Sequence, residues 1–348
     1  MTKSRQVADF GAGGFYAGKN KIINGDFEIN QRAFTSNTSN GTYNFDRWYQ
    51  QNSGGTTTIT PQNFTAGSAP VAGYEGRQFC QVVTASQSGA GDYAQLTQAI
   101  EDVRTLAGQT ATISFWAKAT SGTPKISVEV IQRFGSGGSP SADVQTYAGQ
   151  VTISTSWARY SITVAVPSIS GKTVGTTVNT SSTTWSFWLS AGTNFNARTG
   201  SLGVQNNTFQ IWGVQVEAGS VATPFETATG TLAGELAACQ RYYWILTDAA
   251  ADRIVGNGSY FTATEVYLPV RFPVTMRTNP TFIGSSGTNY YRIKSNSTND
   301  DFNSFTQDQA TVNQSWLYNN TEVSGTGGYA GTVTARTSSS SLAWSAEL

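Results

Sequence analysis

The strongest constraint on this chain is a two-residue alternation that recurs in short runs. Ile113, Phe115 and Ala117 alternate with Ser114, Trp116 and Lys118. Val128 and Val130 oppose Ser127, Glu129 and Ile131, and Tyr160, Ile162, Val164 and Val166 alternate with Ser161, Thr163 and Ala165. Trp185, Phe187 and Leu189 alternate with Ser186, Trp188 and Ser190. Side chains of a strand point to opposite faces, so each run presents one apolar face and requires a second layer to cover it. The runs are separated by Gly, Pro, Asn and Ser, as in Gly135-Ser136-Gly137-Gly138-Ser139-Pro140, which reads as a hairpin loop. Many short strands of this kind predict a β-sandwich over residues 24–226.

Composition narrows the function. Charged residues are only 12% of the chain, whereas aromatics are 12%, a share that argues for a folded chain over a disordered one. Net charge is zero and Lys and Arg form no cluster, so nucleic-acid binding is not expected. No run reaches 18 apolar residues, and Met1–Gln6 leads into no apolar segment, so neither membrane insertion nor a signal peptide is expected. Histidine is absent, which removes Ser-His-Asp and Cys-His catalysis and His-ligated metals. Cys80 and Cys239 are read as two free buried thiols. Acidic residues are scattered through the sandwich with no pairing that points to glycoside hydrolysis. The expectation is a protein that is not an enzyme.

The remaining segments differ in character. Residues 1–23 are Gly-rich and mixed, and read as an arm that orders only against something else. Leu232, Leu236, Cys239 and Tyr243 are spaced by four, three and four within 227–246, which predicts a short helix and a candidate trimer seam. Residues 247–348 return to strand patterning, with Ser259–Ala263 and Val266–Val270 as strands and an apolar C-terminal run that reads as a paired strand. The fold expected is all-β: a jelly-roll sandwich, a short connecting or axial helix, and a second small β domain.

Several motifs go further. Asn24-Gly25-Asp26-Phe27-Glu28-Ile29-Asn30-Gln31-Arg32 is followed by Asn44-Phe45-Asp46-Arg47-Trp48-Tyr49. Gly108–Lys118, Phe209–Gly219, Glu235–Tyr243 and Phe272–Thr281 then follow in order. Together they resemble a jelly roll of carbohydrate-binding-module type, in the version found in bacteriophage tail-fibre and virion appendage proteins. The resemblance implies a virion protein, tail fibre or capsid fibre, usually a homotrimer. Its arm would dock onto other virion proteins and its outer domains would contact host-surface polysaccharide. It also places Asp46-Arg47-Trp48 inside a strand, with Trp48 in the core and Asp46 and Arg47 as an ion pair. A structural Ca²⁺ is known in such modules, and Asp26, Glu28 and Glu217 sit at comparable places; the alternative is that Asp26 and Asn24 cap a turn.

Sugar binding rests on aromatic faces stacked on pyranose rings. Trp116, Trp188 and Trp212 lie on the strand side opposite Phe115, Phe187 and Ile211, so they are candidates for an outer glycan-binding face, with Tyr147 nearby. The competing assignment for each is core or subunit interface. Two other functions stay open at this stage: a decoration or cementing protein with no receptor role, and a polysaccharide-degrading tailspike or accessory carbohydrate-binding module.

Overall fold

The computed structural model describes residues 18–70, 74–247 and 251–348. The chain divides into two compact units, one ending at Leu236, to which Leu348 also belongs, and one spanning Ala237–Glu347.

The first unit contains β1 (Thr42–Tyr43), β2 (Tyr49–Ser53), β3 (Thr56–Asn63), β4 (Gln78–Ala85), β5 (Tyr93–Glu101), β6 (Thr110–Ala119), β7 (Lys125–Arg133), β8 (Val144–Thr152), β9 (Ala158–Ala165), β10 (Ser182–Ala191) and β11 (Thr208–Ala218). A 3-10 turn (Thr193–Phe195) and a one-turn helix α1 (Asn196–Thr199) lie between β10 and β11. One antiparallel sheet runs β1-β2-β5-β10-β7-β8 and the other β3-β4-β11-β6-β9. The chain passes repeatedly from sheet to sheet, which is jelly-roll topology. The alternating residues meet between the sheets: Ile113, Phe115, Val128, Val130, Ile162, Val164, Trp185 and Phe187 are all buried in one core.

The N-terminal motif is built as a turn and an extended segment, with no ladder of its own. Asn24 (φ 56°) donates to the carbonyls of Ile29 and Asp46 and accepts from Ile29 N. Gly25 is required here because a Cβ would lie 2.1 Å from the Val214 carbonyl oxygen of β11. Trp48 is 1% exposed and donates its indole N–H to Asn24 O at 2.8 Å. The Asp46–Trp48 stretch is a turn preceding β2 and not part of a strand, because Arg47 adopts φ 72°. Asp46 holds Arg32 at 2.8 Å, and Arg47 reaches the Ala99 carbonyl.

Part of the expected arm is corrected. Residues 1–17 lie outside the described residues, but Asn20 and Ile22 are buried in the first unit. Lys21 N donates to Val216 O, so this segment belongs to the jelly roll.

Helix α2 (Leu232–Gln240) is shorter than the segment expected for it. Arg241 N donates to Ala237 O in a last helical bond, the tighter bond from Tyr242 N to Cys239 O closes the helix, and Tyr243 begins the next strand. Leu232 is 56% exposed while Cys239 is buried. With Tyr243 in a strand, Leu232, Leu236, Cys239 and Tyr243 do not form one helical stripe. Neither Cys80 nor Cys239 forms a disulfide.

The second unit contains β12 (Tyr243–Ile245), β13 (Arg253–Thr262), β14 (Glu265–Arg271), β15 (Thr281–Gly284), β16 (Tyr291–Ser295), β17 (Thr298–Phe302), β18 (Thr306–Ala310), β19 (Gln314–Asn319), β20 (Ala330–Ala335) and β21 (Leu342–Ser345). Seven strands run β17-β16-β20-β13-β14-β19-β18 and three run β12-β21-β15. Val266, Leu268, Ile293, Leu317, Val333 and Trp344 fill its core. Arg277 is buried and donates to the carbonyls of Ala346 and Glu347, which fixes the end of the unit.

Candidate functional site

The tryptophans singled out by alternation do point away from the sandwich core, but they are not at the surface. Trp212 is fully buried and Trp116 is 8% exposed. The two rings lie 5.6 Å apart under Phe64, Tyr74, Phe79, Trp157 and Phe225. Gly213 (φ 62°) sits at the β11 bulge that turns Trp212 into this cluster; a Cβ there would approach the Trp116 ring to 2.9 Å. Trp188 is also fully buried, packed by Tyr93 and Phe195, with the Arg198 guanidinium 4.8 Å above its ring. Its indole N–H donates to Glu129 Oε2 at 3.0 Å, and Glu129 takes Arg198 in a bidentate pair at 2.7 and 2.8 Å. These three residues are packing residues, because loops and the α1 segment cover the outer sheet faces. Tyr147, 38% exposed on β8, alone among the four stays at the surface.

The proposed metal ligands do not assemble. Glu28 is taken by Arg77, which donates Nε and its backbone N–H at 2.6 Å each. Glu217 accepts from Gln215 Nε2, Thr223 N and Thr223 Oγ1 at 2.7–2.9 Å. Among the described residues no group of three or more His, Cys, Asp or Glu is arranged to hold a metal ion. Asp26, Glu28 and Glu217 thus do not fit a Ca²⁺ site, which needs six or more oxygens.

Asp26 instead forms part of the wall of a cleft of about 420 Å³, with Tyr74, Phe225, Glu226 and Glu235. Its Oδ2 accepts from the Tyr74 hydroxyl at 3.1 Å, while its Oδ1 is buried with no hydrogen-bond partner. Burial first, then Glu235 and Glu28, push its pKa up to about 7. Burial and the Asp26 carboxylate push the Tyr74 hydroxyl well above its ordinary range.

A second surface lies on the seven-stranded sheet of the C-terminal unit, and it was missed at the sequence level. Along β14 the outward residues are Glu265, Tyr267, Pro269 and Arg271, since Val266, Leu268 and Val270 are buried. Tyr267 pairs with Tyr318 and Pro269 with Trp316 on β19. Tyr267 stacks on Tyr318 at 5.9 Å and lies 5.9 Å from Trp316 and 5.6 Å from Phe261 of β13. Phe261 is 72% exposed and Trp316 47%. Beside Trp316, Gln309, Thr311 and Gln314 line a small cavity of about 100 Å³. Four contiguous aromatic rings with amide and hydroxyl groups at their edge form an amphipathic platform. The far half of the same face is ionic, with Arg292 and Arg336 on Asp301. The signal was present: Tyr267, Trp316 and Tyr318 share parity with the polar residues of their strands, opposite Val266, Leu268 and Leu317.

No family model matches this chain, and no curated protein does. Among solved structures, it is similar to the enzymatically active domain of tailspike protein 4 of bacteriophage CBA120, at 15% identity and a TM-score of 0.33. That similarity covers 57% of this chain and 21% of the tailspike chain, so this chain spans about a fifth of the tailspike's length. It is also similar to the C-terminal family 22 carbohydrate-binding module of a Clostridium thermocellum protein, at 14% identity and a TM-score of 0.34, over 60% of this chain and 100% of the module. The xylan-binding domain from Paenibacillus barcinonensis is similar at 10% identity and a TM-score of 0.32, over 60% of this chain and 99% of that one.

Proposed function

We propose that this chain is a non-catalytic structural protein of a bacteriophage particle, a tail fibre or capsid fibre, that contacts host-surface glycan through the aromatic platform of its C-terminal unit. The observation that carries glycan contact is the exposure of Trp316 and Phe261 in one row with Tyr267 and Tyr318. Pyranose rings present C–H faces that stack on such rings, and their hydroxyls are served by Gln309, Thr311 and Gln314 at the edge. The particle itself is supported by the resemblance of the Asn24–Arg32 and Asn44–Tyr49 motifs to phage appendage proteins. Trimeric assembly enters through that resemblance alone, and would convert weak single contacts into stable adsorption.

The test is affinity electrophoresis of the purified chain through gels containing a panel of bacterial polysaccharides, alongside Trp316→Ala. Retardation of the parent chain, at least tenfold weaker in the variant at unchanged melting temperature, is the expected result; tenfold corresponds to about 1.4 kcal/mol. No retardation by any polysaccharide, or equal retardation of the variant, would sink the glycan reading. Release of reducing sugar during the run would overturn the non-catalytic part. Light scattering near three times 37.1 kDa is the outcome expected for the trimer, and a monomer would remove it.

A further inference from the structure

The aromatic platform of the C-terminal unit carries a free cation at one end. We infer that its ligand is an acidic polysaccharide, with a uronic-acid ring stacked on Trp316 and the carboxylate of that sugar held by Arg271. This rests on the glycan contact proposed for the same surface and names the class of glycan.

Arg271 is the last residue of β14 and shares the outward parity of Tyr267 and Pro269, while Val270 before it is buried. It pairs with Gln314 of β19, next along the same face to the Pro269–Trp316 pair. Arg271 and Trp316 are therefore diagonal neighbours on adjacent strands, about 7–8 Å apart at the backbone and within reach of a long side chain. Gln314, opposite Arg271, also lines the small cavity beside Trp316.

The Arg271 side chain is exposed and, among the described residues, its guanidinium has no ion-pair or hydrogen-bond partner. Other arginines of this unit are committed. Arg292 and Arg336 share Asp301, and Arg277 is taken by the carbonyls of Ala346 and Glu347. A guanidinium meets a carboxylate in a planar two-bond fork and is weakly hydrated, so it gives up water readily for such a pair. A uronic acid carries its carboxylate directly on the pyranose ring, so a ring on Trp316 brings the charge to the neighbouring position. The opposite end of the platform disfavours an anion. Glu265 and Asp308 lie close enough to Tyr267 to act on it through their charge, and they repel a carboxylate placed there. The chain has a net charge of zero, so no general attraction for anionic polymers replaces this local pair.

The test is affinity electrophoresis of the whole chain through gels holding polygalacturonate, alginate or hyaluronate, the carboxyl-reduced form of each, or neutral dextran. The parent chain is compared with Arg271→Gln, Trp316→Ala and Lys294→Gln. Lys294 is an exposed cation of the same sheet on β16, three strands from β14. We expect at least one acidic polymer to retard the parent, at least tenfold less after its carboxyls are reduced. The same tenfold loss is expected in Arg271→Gln and in Trp316→Ala, while Lys294→Gln behaves as the parent. Equal retardation of Arg271→Gln and the parent would overturn the inference. So would an equal loss in Lys294→Gln, which would mean diffuse attraction of charge. Retardation that survives carboxyl reduction, or that dextran alone produces, and that Trp316→Ala abolishes would overturn the acidic class and leave glycan contact standing. No retardation by any polymer would end both. The melting temperature of Arg271→Gln separates loss of binding from loss of fold, and the carboxyl-reduced polymers test the same pair with the parent chain alone.

Discussion

Trp116 and Trp212 are directly paired across β6 and β11 and meet ring to ring at 5.6 Å on the sheet face that looks away from the sandwich core. Their position makes them stability residues. Trp212→Ala opens a hole in the second aromatic cluster and should cost about 3 kcal/mol, measured by urea unfolding. The indole N–H of Trp212 is buried without a hydrogen-bond partner. Trp212→Phe should therefore be tolerated within about 1 kcal/mol, because no hydrogen bond is lost. Glycan affinity unchanged in folded Trp212→Phe is expected; a tenfold loss there would return Trp212 to the binding surface.

The same pair shows which parts of the fold were legible in the residues. Period-two alternation placed Phe115 inward and Trp116 outward, and both placements hold. What covers the outward side came from Phe64, Tyr74, Trp157 and Phe225, which lie outside the alternating runs and carry no periodic signal of partnership. The helix was legible from Leu232 to Cys239, but its end was not, because Tyr243 keeps the helical spacing while pairing as a strand with Ser345. The metal assignment failed for a similar reason. Glu28 and Glu217 have the right chemistry, and only the three-dimensional neighbours Arg77 and Thr223 show that it is already used. In the C-terminal unit the platform was readable in principle, since Trp316 and Tyr318 alternate with Ser315 and Leu317, but buried Ser315 and Asn319 blur the contrast between the two faces of that strand.

Asn20 joins the N-terminal segment to the jelly roll. Its Nδ2 donates to Val214 O and Glu226 O at 3.1 and 2.9 Å, and its Oδ1 accepts from Ile22 N and Val216 N at 2.9 and 3.0 Å. Asn20→Ala leaves several buried backbone groups unpaired and should destabilise the first unit by about 3 kcal/mol. Denaturant unfolding followed by tryptophan fluorescence measures it, and a loss below 0.5 kcal/mol would show that water replaces the amide.

Arg198 covers Glu129, which is fully buried. Arg198→Met strips the bidentate partner and leaves an uncompensated buried charge beside Trp188, a loss of about 3–5 kcal/mol. Replacing both, with Glu129→Gln and Arg198→Met, should cost less than the single change, because no charge is then stranded. A double-mutant cycle by thermal unfolding decides it; additive losses would mean that the pair is not coupled.

Asp26 sets a pH dependence with a definite sign. Its folded pKa of about 7 lies above the ordinary value of 3.8, so the native state holds its proton more tightly than the unfolded chain. The stability this group contributes is full below pH 3.8 and is lost as pH rises through 7. Three pH units at about 1.4 kcal/mol each set an upper limit of roughly 4 kcal/mol. Asp26→Asn removes the titration and leaves a neutral side chain against Tyr74, Glu28 and Glu235. Unfolding free energies at pH 5, 6.5 and 8 should therefore fall with pH more steeply in the parent chain than in the variant, and the variant should be the more stable of the two at pH 8. Parallel pH profiles for the two proteins would show that Asp26 is already ionised at pH 5.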